Sequence, residues 1–221
     1  MKILWLVNVP LPEASILMGK EPTPYGGWLV NSSQQLAQKE GVELTVVFPA
    51  VNISGFKELN GEKVVYYAFE AIRDRDAKRI ENDEVLTGVI REINPDIVHI
   101  YGTELAHTLA MVNVCENEDV ETVISIQGLV SVIEKHIFAN LPLRAIYGAT
   151  LRNLMKMDNV IGLRKLFRKR GINEVRAIRR TKHLIGRTTW DKACSAIMNP
   201  KAEYHHCNEI LRTAFYKKQW T

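Results

Sequence analysis

The sequence has little cysteine and no spacing that would make it structural. Cys115, Cys194 and Cys207 are its three cysteines, and no two of them form C-x-x-C. A disulfide framework is therefore not expected, and the pattern fits a reducing cytoplasm. There is no run of about 18 apolar residues, so no segment is expected to span a membrane. The amino terminus has no basic region leading to an apolar stretch and a cleavage site, which argues against a secretory leader. The dinucleotide fingerprint G-x-G-x-x-G is missing from the first strand-to-helix connection. No internal repeat or low-complexity segment occurs. What remains is a globular composition, 46% hydrophobic and 24% charged over 221 residues, long enough to bury a core.

Net charge is only +4, but it is unevenly placed. Between Arg144 and Lys182 stand 12 Lys and Arg against Asp158 and Glu174, a local charge of +10 that leaves −6 on the rest. A single basic segment on an acidic body is a localised electrostatic feature. This segment has no aromatic interleaving and no DNA- or RNA-binding motif, so nucleic acid is not an expected partner.

Lys2 to Val9 is nearly all apolar, as befits a strand in the middle of a covered parallel sheet. Pro10, Pro12, Pro22 and Pro24 then mark a helix-hostile loop, and Gly26-Gly27 opens a helix running to about Glu40. Two glycines at a helix start let backbone come close to a ligand, where N–H groups and the macrodipole favour an anion. Glu43–Phe48 and Lys63–Ala68 read as strands with a loop over 49–61, and Asp76–Asn94 reads as one long helix ended by Pro95. Asp96–Tyr101 is a buried strand, followed by the turn Gly102-Thr103-Glu104 and a helix to about Asn117. Thr122–Ile126 is a strand with Gln127-Gly128 at its carboxyl end. The stretch from Ser131 to Lys182 is helical in pieces, broken near Pro142, Gly162 and Gly171. His183–Ile185 is a short strand, Thr189 caps a helix to Asn199, and Glu203–His206 forms a last strand.

This alternation predicts an α/β fold: a doubly wound, mostly parallel sheet with helices on both faces. Ligands of such sheets bind beyond the carboxyl ends of the strands. Gly26-Gly27, Gly102-Thr103-Glu104, Gln127-Gly128 and Gly186-Arg187-Thr188 are expected to share that edge. Arg187 and Asp191 are read as a functional pair, the guanidinium offering a fork for phosphate or carboxylate oxygens. The alternative is that Asp191 serves the helix dipole and Arg187 pairs with it. Glu104 has the same two readings, dipole or substrate. His99, mid-strand, reads as a satisfied core histidine. His205-His206-Cys207 suggests metal, but neighbours on a strand face opposite ways, so at most His205 and Cys207 converge. No metal site is expected.

The proline-bearing loop with Gly26-Gly27, the Asp96-Ile97-Val98-His99 strand, Gly186-Arg187-Thr188-x-Trp190-Asp191 and Asn208-Glu209-x-Leu211-Arg212-x-x-Phe215-Tyr216 follow one another in a known order. In this they resemble the N-terminal domain of a GT-B retaining glycosyltransferase of family 4, among its bacterial polysaccharide-assembly members. The resemblance implies a Rossmann-like domain over 1–212, the start of an interdomain linker over 213–221, and an absent C-terminal donor domain. It implies sugar transfer from a nucleotide-sugar donor to a glycan or lipid-linked acceptor, usually without a metal and with no other cofactor. By itself this chain is expected to be inactive. Gly26 and Gly27 would face the donor phosphates. Gly102, Thr103, Glu104, Gly128, Arg187, Thr188, Asp191, Asn208, Glu209 and Arg212 would shape the acceptor side or the cleft edge. Many relatives place a histidine against the transferred sugar after the fifth strand. Gln127 stands there in this chain, keeping hydrogen bonding without a titratable group. Glutamates separated by seven residues, the family's donor-side mark, occur as Glu13/Glu21, Glu62/Glu70 and Glu84/Glu92, and none is assigned that role.

A competing reading is a stand-alone Rossmann-like module that binds a nucleotide or anionic metabolite without catalysis. The basic segment is expected to dock on an anionic membrane at the inner face of the cell membrane, the protein being cytoplasmic. The alternative is that its leucine stripe packs on the sheet while solvated charges face water. Leu163, Leu166 and Phe167 form an apolar arc of roughly 100°, with Arg164, Lys165, Arg168 and Lys169 opposite. Leu151, Leu154 and Met155 repeat the mixture beside Arg152 and Lys156.

Overall fold

The computed structural model describes residues 1–22, 26–148, 159–210 and 215–216. One eight-stranded sheet runs through it. Its strands are β1 (Lys2–Leu6), β2 (Glu43–Ala50), β3 (Phe56–Asn60), β4 (Val65–Glu70), β5 (Ile97–Tyr101), β6 (Glu121–Ser125), β7 (His183–Gly186) and β8 (Glu203–His206). Their order is β3-β4-β2-β1-β5-β6-β7-β8, and only the β3–β4 pair is antiparallel. β1 is central because its residues from Ile3 onward are apolar and buried on both faces. The chain winds outward from β1 to β4, then crosses to β5 on the other side of β1, making the topological switch point there.

The helices divide between the two faces. On one face α1 (Pro12–Leu17) and α2 (Gly27–Leu36) cover β1, β2 and β4 through Ala14, Leu29 and the inward residues Trp5, Val46 and Phe48. On the other lie α3 (Ala77–Glu81), α4 (Glu84–Ile93), α5 (Ala106–Asn117), α6 (Val130–His136), α7 (Leu143–Tyr147), α8 (Val160–Arg180) and α9 (Thr189–Met198). Their apolar residues, Leu86, Ile90, Leu109 and Ile178 among them, pack on Leu4, Ile100, Ile124 and Leu184. The expected α/β architecture, mostly parallel with helices on both faces, is present. It is lopsided: among the described residues no helix covers the α2 face beyond β5.

Several boundaries differ from the expectation, each for a local reason. Pro12 sits in the first turn of α1, where a missing N–H costs nothing, so a helix forms inside the proline-bearing loop. β3 lies within the stretch taken as loop, because its alternating Phe-Lys-Glu-Leu-Asn needs only one buried residue, Leu59, to pair with β4. The adjoining strand begins at Val65 and runs to Glu70. The long helix is two, since Asp83 leaves the helix to cap α4 by accepting the Leu86 amide at 2.8 Å. Conversely, α8 runs unbroken through Gly162 and Gly171. Asn159 caps it by accepting the Gly162 amide, and a side chain at Gly171 would come 2.8 Å from Ser131 Cα of α6. The cap of α9 is Thr188, not Thr189.

Candidate functional site

At the switch point a cavity of about 350 Å³ opens between α2, the sheet face left uncovered beyond it, and the segment Cys207–Ile210. Its floor is aromatic. Tyr101 stacks on His99 with ring centres 4.1 Å apart and meets Trp5 at 5.0 Å and Trp28 of α2 at 5.5 Å. Strand alternation brings these rings together: Trp5, His99 and Tyr101 all face the same way from paired strands, Trp5 directly opposite His99. Burial lowers the His99 pKa to about 4, so its imidazole is neutral at physiological pH, with Nε2 2.7 Å from Ser125 Oγ. Burial likewise raises the Tyr101 hydroxyl.

The rim is polar. Gln127 and Asn208 line it, and Arg187 Nη1 pairs with Glu209 Oε2 at 2.8 Å. An aromatic floor offers flat apolar surface to the C–H face of a sugar or to a base, while the rim offers directional hydrogen bonds. Of the residues singled out from sequence, Gln127, Arg187, Asn208 and Glu209 meet here. Arg212 lies outside the described residues.

Arg187 and Asp191 do not form a side-chain pair: Asp191 stands in the first turn of α9, as the alternative reading had it, but the Arg187 guanidinium pairs with Glu209 instead. Asp191 is 5% exposed and belongs to a capping box with Thr188. Its carboxylate accepts the amides of Arg187 and Thr188, each at 3.0 Å, and the Tyr204 hydroxyl at 2.6 Å. Burial pushes its pKa up, but these hydrogen bonds outweigh it and hold the group below the usual carboxylate range. Gly186 makes this possible, since a Cβ there would lie 2.4 Å from Tyr204 Oη.

The turns after β5, β6 and β7 lie on one edge of the sheet, as expected, because these strands are parallel neighbours, but they divide between two sites. Gly102, Thr103, Glu104 and Gly128 belong to a polar network away from the cavity lining. Glu104 accepts Asn8 Nδ2 at 2.6 Å and the Thr103 amide at 2.9 Å, and Asn8 Oδ1 lies 2.8 Å from His107 Nε2. Burial raises the Glu104 pKa. Gly102 has φ +90°, and a Cβ on it would come 2.6 Å from the Glu104 carboxylate. Thr103 Oγ1 lies 2.8 Å from the Gly128 carbonyl and 2.6 Å from the fully buried Glu174. Gly26, at φ +71°, is the left-handed N-cap of α2 and packs near Val9 and Leu29, while Trp28 two residues on reaches the cavity.

Asn8, His107 and Glu174 carried no signal in sequence. Trp5 and Tyr101 passed for core residues on buried strands, and Trp28 was not singled out. His99 is satisfied, as expected, but it also faces the cavity.

In the basic segment, part of the charge is internal. Arg170 pairs with Asp74 at 2.8 Å, Arg176 with Glu81 at 2.7 Å and Arg180 with Glu116 at 3.6 Å. Arg164 reaches Glu134 at 3.4 Å and lies 5.0 Å above the Phe138 ring. Lys165, Arg168 and Lys169 are exposed, with no ion-pair partner among the described residues. Beside them Leu163 and Leu166 are 40% and 36% exposed, and Leu143 and Tyr147 of α7 are 72% and 70% exposed. Leu151, Arg152, Leu154, Met155 and Lys156 lie outside the described residues. Among the described residues no helix is long and apolar enough to cross a membrane.

No protein-family model matches the sequence, and no curated protein matches it. Among solved structures, the chain is similar to a sucrose-phosphate synthase from Thermosynechococcus elongatus. The TM-score is 0.51 at 6% identity, over 94% of this chain and 90% of that one. UDP-GlcNAc 2-epimerase from Neisseria meningitidis bound to UDP-GlcNAc aligns at TM-score 0.47 and 13% identity, over 95% of this chain but 47% of that one. A trehalose-6-phosphate structure from E. coli bound with UDP-2-fluoro glucose aligns at 0.45 and 9%, over 88% of this chain and 42% of that one. The chain thus spans less than half the length of the latter two. At these identities the likeness is one of fold: the chain is a Rossmann-like, mostly parallel α/β domain of the kind that makes one half of a GT-B architecture.

Proposed function

We propose that this chain is the acceptor-side domain of a retaining glycosyltransferase that moves a sugar from a nucleotide-sugar donor to a glycan or lipid-linked acceptor in surface polysaccharide assembly. The observation that supports it best is the cavity at the switch point, where Tyr101 and Trp28, backed by buried Trp5, supply stacking surface and Gln127, Asn208 and the Arg187–Glu209 pair supply hydrogen bonds. In this reading Gln127 orients the sugar without titrating, and the acceptor lies against the aromatic floor. The donor would be gripped by a second Rossmann-like domain across a cleft, with the Gly26-Gly27 helix start turned towards its phosphates. The chain alone should therefore bind acceptor but not turn over a nucleotide sugar. Tryptophan fluorescence titrated with glycan acceptor analogues should report binding that Tyr101→Ala and Arg187→Ala weaken. Transfer should need a donor-binding half in the same polypeptide. Turnover by the chain alone, or UDP binding in the cavity with no response to any glycan, would overturn this reading, the latter in favour of a nucleotide-binding module.

The membrane partner rests on exposed Leu143, Tyr147, Leu163 and Leu166 standing beside Lys165, Arg168 and Lys169. Apolar side chains flanked by cations are suited to the headgroup region of an anionic bilayer, each cation contributing on the order of 1 kcal/mol. Co-sedimentation with vesicles containing phosphatidylglycerol should weaken with salt and fall when Lys165, Arg168 and Lys169 become glutamine. Equal sedimentation of that triple variant would exclude this face as the docking surface.

A further inference from the structure

β8 pairs in parallel with β7, Glu203 opposite His183 and His205 opposite Ile185. Side chains alternate along a strand, so Glu203 and His205 share one face of β8, while His206 takes the other. The register then sets His183 beside both. His183 Nδ1 lies 3.1 Å from His205 Nε2 and 3.7 Å from Glu203 Oε2, and His205 Nδ1 lies 3.9 Å from Glu203 Oε1. One ligand atom from each of the three lies within 4.8 Å of the other two. The reading from sequence, in which His205 finds at most Cys207, missed this because His183 is on another strand.

Imidazole nitrogens and carboxylate oxygens bind Zn²⁺ at about 2.0–2.2 Å, and tetrahedral bonds of that length set neighbouring ligand atoms roughly 3.3–3.5 Å apart. The 3.1 and 3.7 Å separations bracket that spacing. The two rings are tilted by 39° with centres 5.3 Å apart, and His205 turns Nε2 to His183 Nδ1 while its other nitrogen, Nδ1, lies on the Glu203 side. Side-chain exposures of 40% for His183, 42% for His205 and 69% for Glu203 leave the group open to solvent. Two imidazoles with one carboxylate suit Zn²⁺, Ni²⁺ or Cu²⁺, whereas Mg²⁺ and Ca²⁺ take oxygen donors.

We propose that His183, His205 and Glu203 bind a divalent transition-metal ion of the Zn²⁺ class, with the remaining coordination left to water. The ion would clamp the edge strand β8 to β7. β8 leads directly into Cys207–Ile210, the segment that walls the cavity and carries Glu209 to Arg187. Metal occupancy therefore orders the polar rim of the cavity from outside it.

The test is a titration of the untagged, chelator-treated chain with ZnCl₂ against a chromophoric zinc chelator, paired with thermal unfolding. One Zn²⁺ should bind per chain and raise the melting temperature, and excess Mg²⁺ should not compete. His183→Ala and His205→Ala should each weaken binding roughly tenfold or more and remove the thermal shift. His206→Ala, on the opposite face, should change neither. Metal-free melting of each variant separates a lost ligand from a lost fold. If a histidine variant does not fold, the exposed Glu203→Gln decides, with weakened binding expected. Failure of the parent to bind Zn²⁺, or binding unchanged in a folded His183→Ala or in Glu203→Gln, overturns the assignment.

Discussion

Glu174 is fully buried on α8 and is the carboxylate on which three elements converge, so Glu174→Gln is the most informative single change. Its Oε1 accepts the Ser131 amide at 2.8 Å and the Ser131 hydroxyl at 2.5 Å. Its Oε2 accepts the Val130 amide at 3.0 Å and the Thr103 hydroxyl at 2.6 Å. Leu129 gives α6 no side-chain cap, so Glu174 caps that helix from across the interface. Glutamine has the same shape but only one accepting oxygen. The Ser131 and Thr103 hydroxyls can rotate to suit an amide, but the Val130 and Ser131 N–H groups cannot. Whichever way the amide turns, one buried backbone N–H is orphaned. That costs about 1–3 kcal/mol, and the hydrogen bonds that remain lose their ionic partner, partly offset by no longer burying a charge. A net loss of about 2–3 kcal/mol follows. For a chain of this size that lowers the melting temperature by roughly 4–12 °C. Far-UV circular dichroism melts, with a urea m-value unchanged to show the same two states, read it directly. A shift below about 2 °C would refute the reasoning, because it would mean that the orphaned amide finds water or another acceptor.

Two further outcomes follow from the same geometry. Gly186→Ala should destabilise the chain by about 1–3 kcal/mol through overpacking, since its Cβ would drive Tyr204 off Asp191. The same change made on Tyr204→Ala should be nearly neutral, a non-additivity that a double-mutant cycle in urea measures. Between about pH 6.5, where an unfolded histidine titrates, and about pH 4, where folded His99 does, the unfolded chain binds the extra proton. The contribution of His99, and of buried His107, whose pKa is lowered likewise, should therefore fall as pH drops through that window and level off below it. There the loss of the depressed Asp191 carboxylate takes over. His99→Gln should flatten part of the slope above about pH 4 in a pH series of urea melts.

Elements whose character is local were legible from residues alone. The apolar run at Ile3–Val7, the Pro95 stop and the alternation of strand and helix determine a parallel α/β sheet, because period and composition act between near neighbours in the chain. Gln127 and Arg187 were legible too, as polar groups at the carboxyl ends of strands, whereas Asn208 and Glu209 were singled out only through the resemblance their motif carries. Where a boundary was missed, a short-range bond had displaced the pattern, as when Asp83 caps α4 in the middle of a helical stretch. Tertiary structure alone decided the rest. Trp5, His99 and Tyr101 are separate apolar or aromatic positions until β1 pairs with β5 and turns their rings to one cavity. Asp191 has the same sequence spacing to Arg187 whether it binds a ligand or a cap, and burial under Tyr204 gives it to the cap. His183 and Glu203 lie 20 positions apart by number yet directly opposite each other, because strand order and register depend on the packing of the whole sheet and on no single stretch of it.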